Sequence, residues 1–294
     1  MTHPAAPTAP TAPTPTARAQ HGAPSAHPPP GGASTVAAFA AGLWRREPRL
    51  VLFAAILLAA MLPAALMLGL DDRTLRGVNV WVKPMKFMAS VALLALTTAW
   101  FAAHLSEAAR RSRAFGALVW TLIATGGFEV AYITVQAALG AGSHYNVGDA
   151  FHATMYTLMG IGALLLTATQ PWLAWLLWRH GSRSIAPAYR VAVLLGLVLT
   201  FVLGAGVGMM LGGQQPPTGP GLPVVGWSTV AGDLRVAHFV GIHAGQVIPI
   251  VGFALAARRL RGAIAGVWIA AGAWSGLWSI TLAQALAGQP LLSL

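Results

Sequence analysis

From residue 50 onward this sequence is a succession of apolar runs, each close to the length a helix needs to cross a bilayer, about 20 residues. By that rule there are about seven, at 50–70, 87–105, 115–138, 151–177, 190–211, 236–257 and 263–286. Hydrocarbon offers no hydrogen bonds, so each crossing must satisfy its own backbone as a helix. Charged residues make up 9% of the chain, against roughly 25% in soluble domains. The sequence therefore predicts an all-α, polytopic membrane helix bundle. The fourth run holds Pro171, where a kink or an early end is expected.

The formal charge of +11 does not point to nucleic acid, because most arginines sit in short connections between apolar runs. Arg45, Arg46 and Arg49 precede the first run, and Arg110, Arg111 and Arg113 follow the second. Arg179, Arg183 and Arg190 follow the fourth, and Arg258, Arg259 and Arg261 follow the sixth. Two runs separate each cluster from the next, so all four share one side. Such loops stay cytoplasmic, which places the N-terminus inside and the C-terminus in the periplasm of a bacterial inner membrane. Arg73, Arg76 and Arg235 are exceptions on the outer side. Residues 1–43 are Pro- and Ala-rich, without apolar periodicity, and read as a disordered cytoplasmic tail in which His3, His21 and His27 are exposed. No apolar core follows a basic start, so the opening does not read as a secretory signal. The membrane domain is 44–294. With no cysteine, disulfides, thiolate metal sites and a cysteine nucleophile are excluded.

Against this apolar background the polar residues stand out. Glu129 is the one acid well inside a run, about nine residues or 13 Å from its outer end. Glu129, Tyr132 and Gln136 share a helical face. An acid at that depth reads as a functional group, or as a protonated carboxyl bonding a neighbouring helix. Lys83 and Lys86 are the only lysines, in Trp81-Val82-Lys83-Pro84-Met85-Lys86-Phe87. Pro84 marks a helix start. The lysines read as interfacial anchors beside a belt tryptophan, Trp81, or as cations for Glu129 or an anionic substrate. Asp149 and Asp233 each follow a glycine and suit helix N-caps. Asp149, His152 and Tyr156 fall on one face.

The sixth run opens Gly232-Asp233-Leu234-Arg235 and carries His238, His243 and Gln246. On a continuous helix, Arg235, Gln246 and His243 lie at about 60°, 80° and 140° from His238, forming one polar stripe. The outer connections 71–84, 140–149 and 212–234 complete the picture. The second contains Ser143-His144-Tyr145-Asn146, and the last, Pro- and Gly-rich, reads either as a lid or as a solvated connector.

The motifs W-x-K-P-x-K-F, S-H-Y-N and G-D-L-R-x-x-H-F together resemble an uncharacterised family of bacterial multi-pass membrane proteins. The resemblance covers most of the chain after the tail. That group has no established activity, so no catalytic role carries over.

The residues themselves imply a polar site opening to the periplasmic side. In an enzyme or binding protein, Glu129, His238, His243 and Lys86 are the catalytic candidates. Lys83, Tyr132, Gln136, His144, Asn146, Asp149, Asp233, Arg235 and Gln246 are the ligand-binding ones. Glu129, His152, His238 and His243 offer ligands for a metal ion or haem iron, and the ligand would be a small or lipid-soluble molecule. A proton-coupled transporter or channel is the second expectation, and a sensor or assembly factor for a periplasmic ligand the third.

Overall fold

The computed structural model describes residues 1–2, 33–182, 184–223 and 225–292. The tail histidines His3, His21 and His27, and Arg183, lie outside the described residues. The chain divides into two units, Met1–Ala38 and Phe39–Leu294, and every helix of membrane length lies in the second. The compositional boundary at residue 43 falls within the first helix, α1 (Ala33–Arg46).

Six helices are long and apolar enough to cross a membrane: α2 (Pro48–Leu70), α3 (Val82–Ala102), α5 (Arg113–Ala138), α6 (Ala150–His180), a composite helix from Pro187 to Gly213, and α11 (Ala263–Leu286). Between α3 and α5 lies the four-residue α4 (Glu107–Arg110). The composite helix consists of α7 (Pro187–Leu199), a π-helical turn at Thr200–Ala205, and α8 (Gly206–Gly213). The pair α9 (Leu234–Ile242) and α10 (Ala244–Ala257), bent by 44° at His243, is long and apolar enough for a seventh when counted as one span. The architecture is thus the all-α, multi-pass bundle expected, with one short hairpin, β1 (Thr74–Leu75) and β2 (Val78–Asn79). Arg76 and Gly77 turn that hairpin with φ of 55° and 79°, the left-handed pair that a tight two-residue turn requires.

Local chemistry sets the helix starts. Ser106, Ser112, Asp149 and Asp233 each accept a backbone N–H of the first turn of α4, α5, α6 and α9, satisfying donors a helix leaves free. α3 starts at Val82, two residues before Pro84; the proline still sits in the first turn, where its missing N–H has no partner to lose. Pro171 neither ends nor splits α6, which runs unbroken to His180. Trp81 is 8% exposed and donates its indole N–H to Asp71 at 2.8 Å. It is a buried strut of the outer end, not a belt residue.

α2, α3, α5 and α6, with the start of α7, enclose one apolar core around Leu50, Ala95, Phe115 and Leu173. α7, α10 and α11 enclose a second around Ala192, Ile248 and Val267. α9 crosses the π-helical turn where glycines face each other. A Cβ on Gly241 would lie 2.7 Å from the Gly204 nitrogen, and one on Gly204 would lie 2.7 Å from Ile242 Cγ2. At the arginine-rich end, Leu105 bridges Gly181. At the opposite end, Arg73 donates to the Ala138 carbonyl at 3.1 Å and Arg76 to the Pro216 carbonyl at 2.6 Å, tying three connections together.

Candidate functional site

Lys83 and Lys86 leave the first turn of α3 and serve two different polar centres. The ammonium of Lys83 acts electrostatically on Glu129 and His144, and that of Lys86 on Asp233 and Arg235.

The first centre lies among α3, α5, α6 and the 140–149 connection. Glu129, Tyr132 and Gln136 share the inward face of α5, with exposures of 1%, 8% and 3%. Both carboxyl oxygens of Glu129, the hydroxyl of Tyr132 and the amide oxygen of Gln136 are buried without a hydrogen-bond partner. Lys83 therefore reaches Glu129 through space and not by a hydrogen bond. On α6, Gly162 leaves room for the carboxyl, since a Cβ there would stand 3.0 Å from Glu129 Oε1. His144 covers the outer side, its ring 6.0 Å from Phe87 and 5.9 Å from Tyr156. Burial first, and then the charge of Lys83, push the His144 imidazole down to about 3, against a hydrogen bond with Ser143; the ring is neutral at physiological pH.

The second centre holds the 212–234 connection against the bundle. Lys86 donates to the Val225 carbonyl at 2.9 Å and Arg235 to the Gly226 carbonyl at 2.6 Å. Arg235 also grips Asp233, with Nη2 2.6 Å from Oδ2. Burial opposes ionisation of Asp233, but Arg235 and the Ser228 N–H outweigh it and hold the carboxyl below its usual range. Trp227 packs on Phe239, and Phe239 on His243, with ring centroids 5.3 and 4.2 Å apart. His243 Nδ1 meets Gln246 Oε1 at 3.2 Å, and Gln246 donates to Thr97 of α3 at 3.4 Å. Farther along, Tyr145 donates to the Leu211 carbonyl and Tyr156 to the Gly212 carbonyl at 2.6 Å. With Arg76 on Pro216, the connection is fastened at Pro216, Val225 and Gly226, and Tyr145 and Tyr156 hold the end of α8 before it, while residues 212–215 and 218–221 stay exposed.

The remaining expected residues have other duties. The single stripe on the sixth crossing does not survive the bend at His243, which breaks the angular relation between Arg235 and His238 on one side and Gln246 on the other. His238 Nδ1 lies 2.9 Å from the Gly204 carbonyl within the π-helical turn, where the wider turn alters the backbone pairing; its role there is structural. His152 pairs with its own cap, Asp149, at 2.5 Å near the surface. Asn146 closes its turn on the Gly142 carbonyl at 3.2 Å. Among the described residues no group of three or more His, Asp or Glu comes together as a metal ion would require. His152 faces Asp149, His238 the Gly204 carbonyl and His243 Gln246, while Glu129 has no hydrogen-bond partner, so these four form no common metal set among the described residues.

Sequence reading gave no site role to Arg76, Thr97, Gly162, Trp227 or Phe239. Arg76 and Trp227 stood out as an arginine and a tryptophan in outer connections, and Phe239 as the close of the G-D-L-R-x-x-H-F motif. Gly162 and Thr97 look like ordinary residues of apolar helices until the neighbouring helix is placed. No protein-family model, curated protein or solved structure matches this chain.

Proposed function

We propose that this integral membrane protein binds a small or lipid-soluble molecule in the pocket of Lys83, Glu129, Tyr132, Gln136 and His144, entered from the end opposite its arginine clusters. By the positive-inside rule that end is the periplasmic face of a bacterial inner membrane. The observation that carries the reading is the row of four unpartnered oxygens on one face of α5. Leaving such groups buried and unpaired costs about 1–3 kcal/mol each, so a ligand that satisfies them offsets that cost. The row is rich in acceptors, which favours a ligand bearing hydroxyl or amine donors. Lys83 supplies the complementary donor for a carbonyl or anionic end. The three motifs that resemble the bacterial membrane family all contribute to these two centres.

Native mass spectrometry of the protein extracted directly from its membrane tests the reading. A bound small molecule retained by wild type and lost from Glu129→Gln and Tyr132→Phe is expected. Gly162→Ala, which crowds the carboxyl without altering any polar group, should weaken retention as well. Equal spectra for wild type and all three variants would overturn the proposal.

A second reading, proton-coupled transport, is favoured by one observation. The sixth crossing is broken at His243, nine residues from the start of α9, or about 13 Å deep, beside a π-helical turn in its neighbour. Broken helices near the midplane are a mark of transporters. Proton flux into proteoliposomes that vanishes in Glu129→Gln would move the assignment there.

A further inference from the structure

The arginine-rich end holds a second cluster, remote from both centres, whose donors have no acid to serve. The guanidinium of Arg46 stacks over Trp100, 4.2 Å from the ring centroid, and its Nη1 is buried without an acceptor. The adjacent acid is committed elsewhere: Glu47 receives Arg49 through two bonds of 2.7 and 3.0 Å. The other acid of this end, Glu107, pairs with Arg111 at 2.6 Å. His104, just past α3, lies within the field of Arg46 and stands edge-on to Tyr189 at 5.5 Å. Its Nε2 is likewise buried without a partner. On the far side of His104 is a hollow lined by Leu177, Ile185, Arg190, Val193 and Leu194. Arg190 places Nη2 3.0 Å from the Trp178 carbonyl and meets no carboxylate among the described residues.

Two arginines thus flank a histidine at a helix confluence that the positive-inside rule puts at the cytoplasmic membrane surface, above an apolar hollow. Guanidinium groups pair in a fork with the oxygens of carboxylate and phosphoryl groups. Basic pockets between membrane helices on this side recognise lipid headgroups. We propose that Arg46, His104 and Arg190 together bind a phosphoryl anion, the headgroup of an anionic phospholipid or a free phosphate. His104 donates one ring N–H to it.

The test is native mass spectrometry of the purified full chain in neutral detergent. Phosphatidylglycerol or phosphatidylcholine is added in one arm, and inorganic phosphate with a thermal-shift readout in the other. Retention of phosphatidylglycerol over phosphatidylcholine identifies a lipid headgroup. Thermal stabilisation by millimolar phosphate, with displacement of the lipid, identifies a soluble phosphoryl source. In either case Arg46→Gln and Arg190→Gln should each weaken binding about fivefold, as expected for one basic side chain at such a surface. Arg46→Lys should keep part of it, and Arg258→Gln at the same end should change nothing. Wild type that retains both lipids equally and ignores phosphate overturns the proposal whatever the folding of the variants, as do Gln variants that fold and bind as wild type does.

Discussion

Five of the seven acids in this chain are tied to a basic residue two to four positions away: Glu47 to Arg49, Asp71 to Arg73, Glu107 to Arg111, Asp149 to His152 and Asp233 to Arg235. Asp72 is exposed. Glu129 is the one buried acid without such a neighbour, and that singles it out more firmly than its depth alone. Among the pairs, Asp233–Arg235 is the most buried, with side-chain exposures of 0% and 33%. Arg235→Ala leaves the carboxylate unpaired in the interior and frees the Gly226 carbonyl, so a loss of about 2 kcal/mol is expected, read as a lowered thermal midpoint. His144 gives a pH prediction. The unfolded chain takes up that proton near pH 6.5, but the fold takes it only at about 3. Between those values the unfolded state binds more protons, so stability falls as pH drops below about 6.5 and is unaffected above it. Thermal midpoints followed from about pH 7 down to about pH 5 should fall less steeply in His144→Gln than in wild type. Equal slopes would mean that the ring is solvated.

At the scale of elements, the glycine crossing between α9 and the π-helical turn is the tightest device in the second half of the bundle. Gly241→Ala brings a Cβ to 2.7 Å from backbone atoms of Leu203 and Gly204, which cannot swing aside, and about 1–3 kcal/mol of destabilisation is expected. Gly206→Ala, with open space around it, is the matched control and should leave the midpoint unchanged. The apolar runs made the six helices of membrane length and the bent pair legible, because run length is a property of the sequence itself. The caps at Asp149 and Asp233 were legible for the same reason. The break at His243 was not: no proline or glycine occupies that position, and Pro249, six residues on, lies within α10. With the break unseen, a wheel put Arg235, His238, His243 and Gln246 on one stripe, whereas Arg235 and His238 turn to Gly226 and Gly204 and only His243 and Gln246 meet each other. Pro171 erred in the other direction, since a proline predicts a disruption that membrane helices often absorb.

On the scale of the whole molecule, the polar chemistry is divided between two ends. One end is rich in arginines that its two acids do not balance. The other carries both lysine centres and the 212–234 connection, knit by Arg76, Lys86, Tyr145, Tyr156 and Arg235. If those contacts hold the connection down, the double variant Tyr145→Phe, Tyr156→Phe should make the Gln214–Thr218 stretch more susceptible to a non-specific protease than in wild type, with the helices spared. Unchanged cleavage would show that Arg76, Lys86 and Arg235 suffice. Both tyrosines land on carbonyls of α8, and α8 follows directly from the π-helical turn. Such a turn amounts arithmetically to one residue inserted into an α-helix, rotating everything beyond it by about 100°. The registration of the connection is therefore decided by a single surplus residue buried about two turns below it. Removing one residue from Thr200–Ala205 would regularise the helix while turning Leu211 and Gly212 away from the tyrosines that hold them.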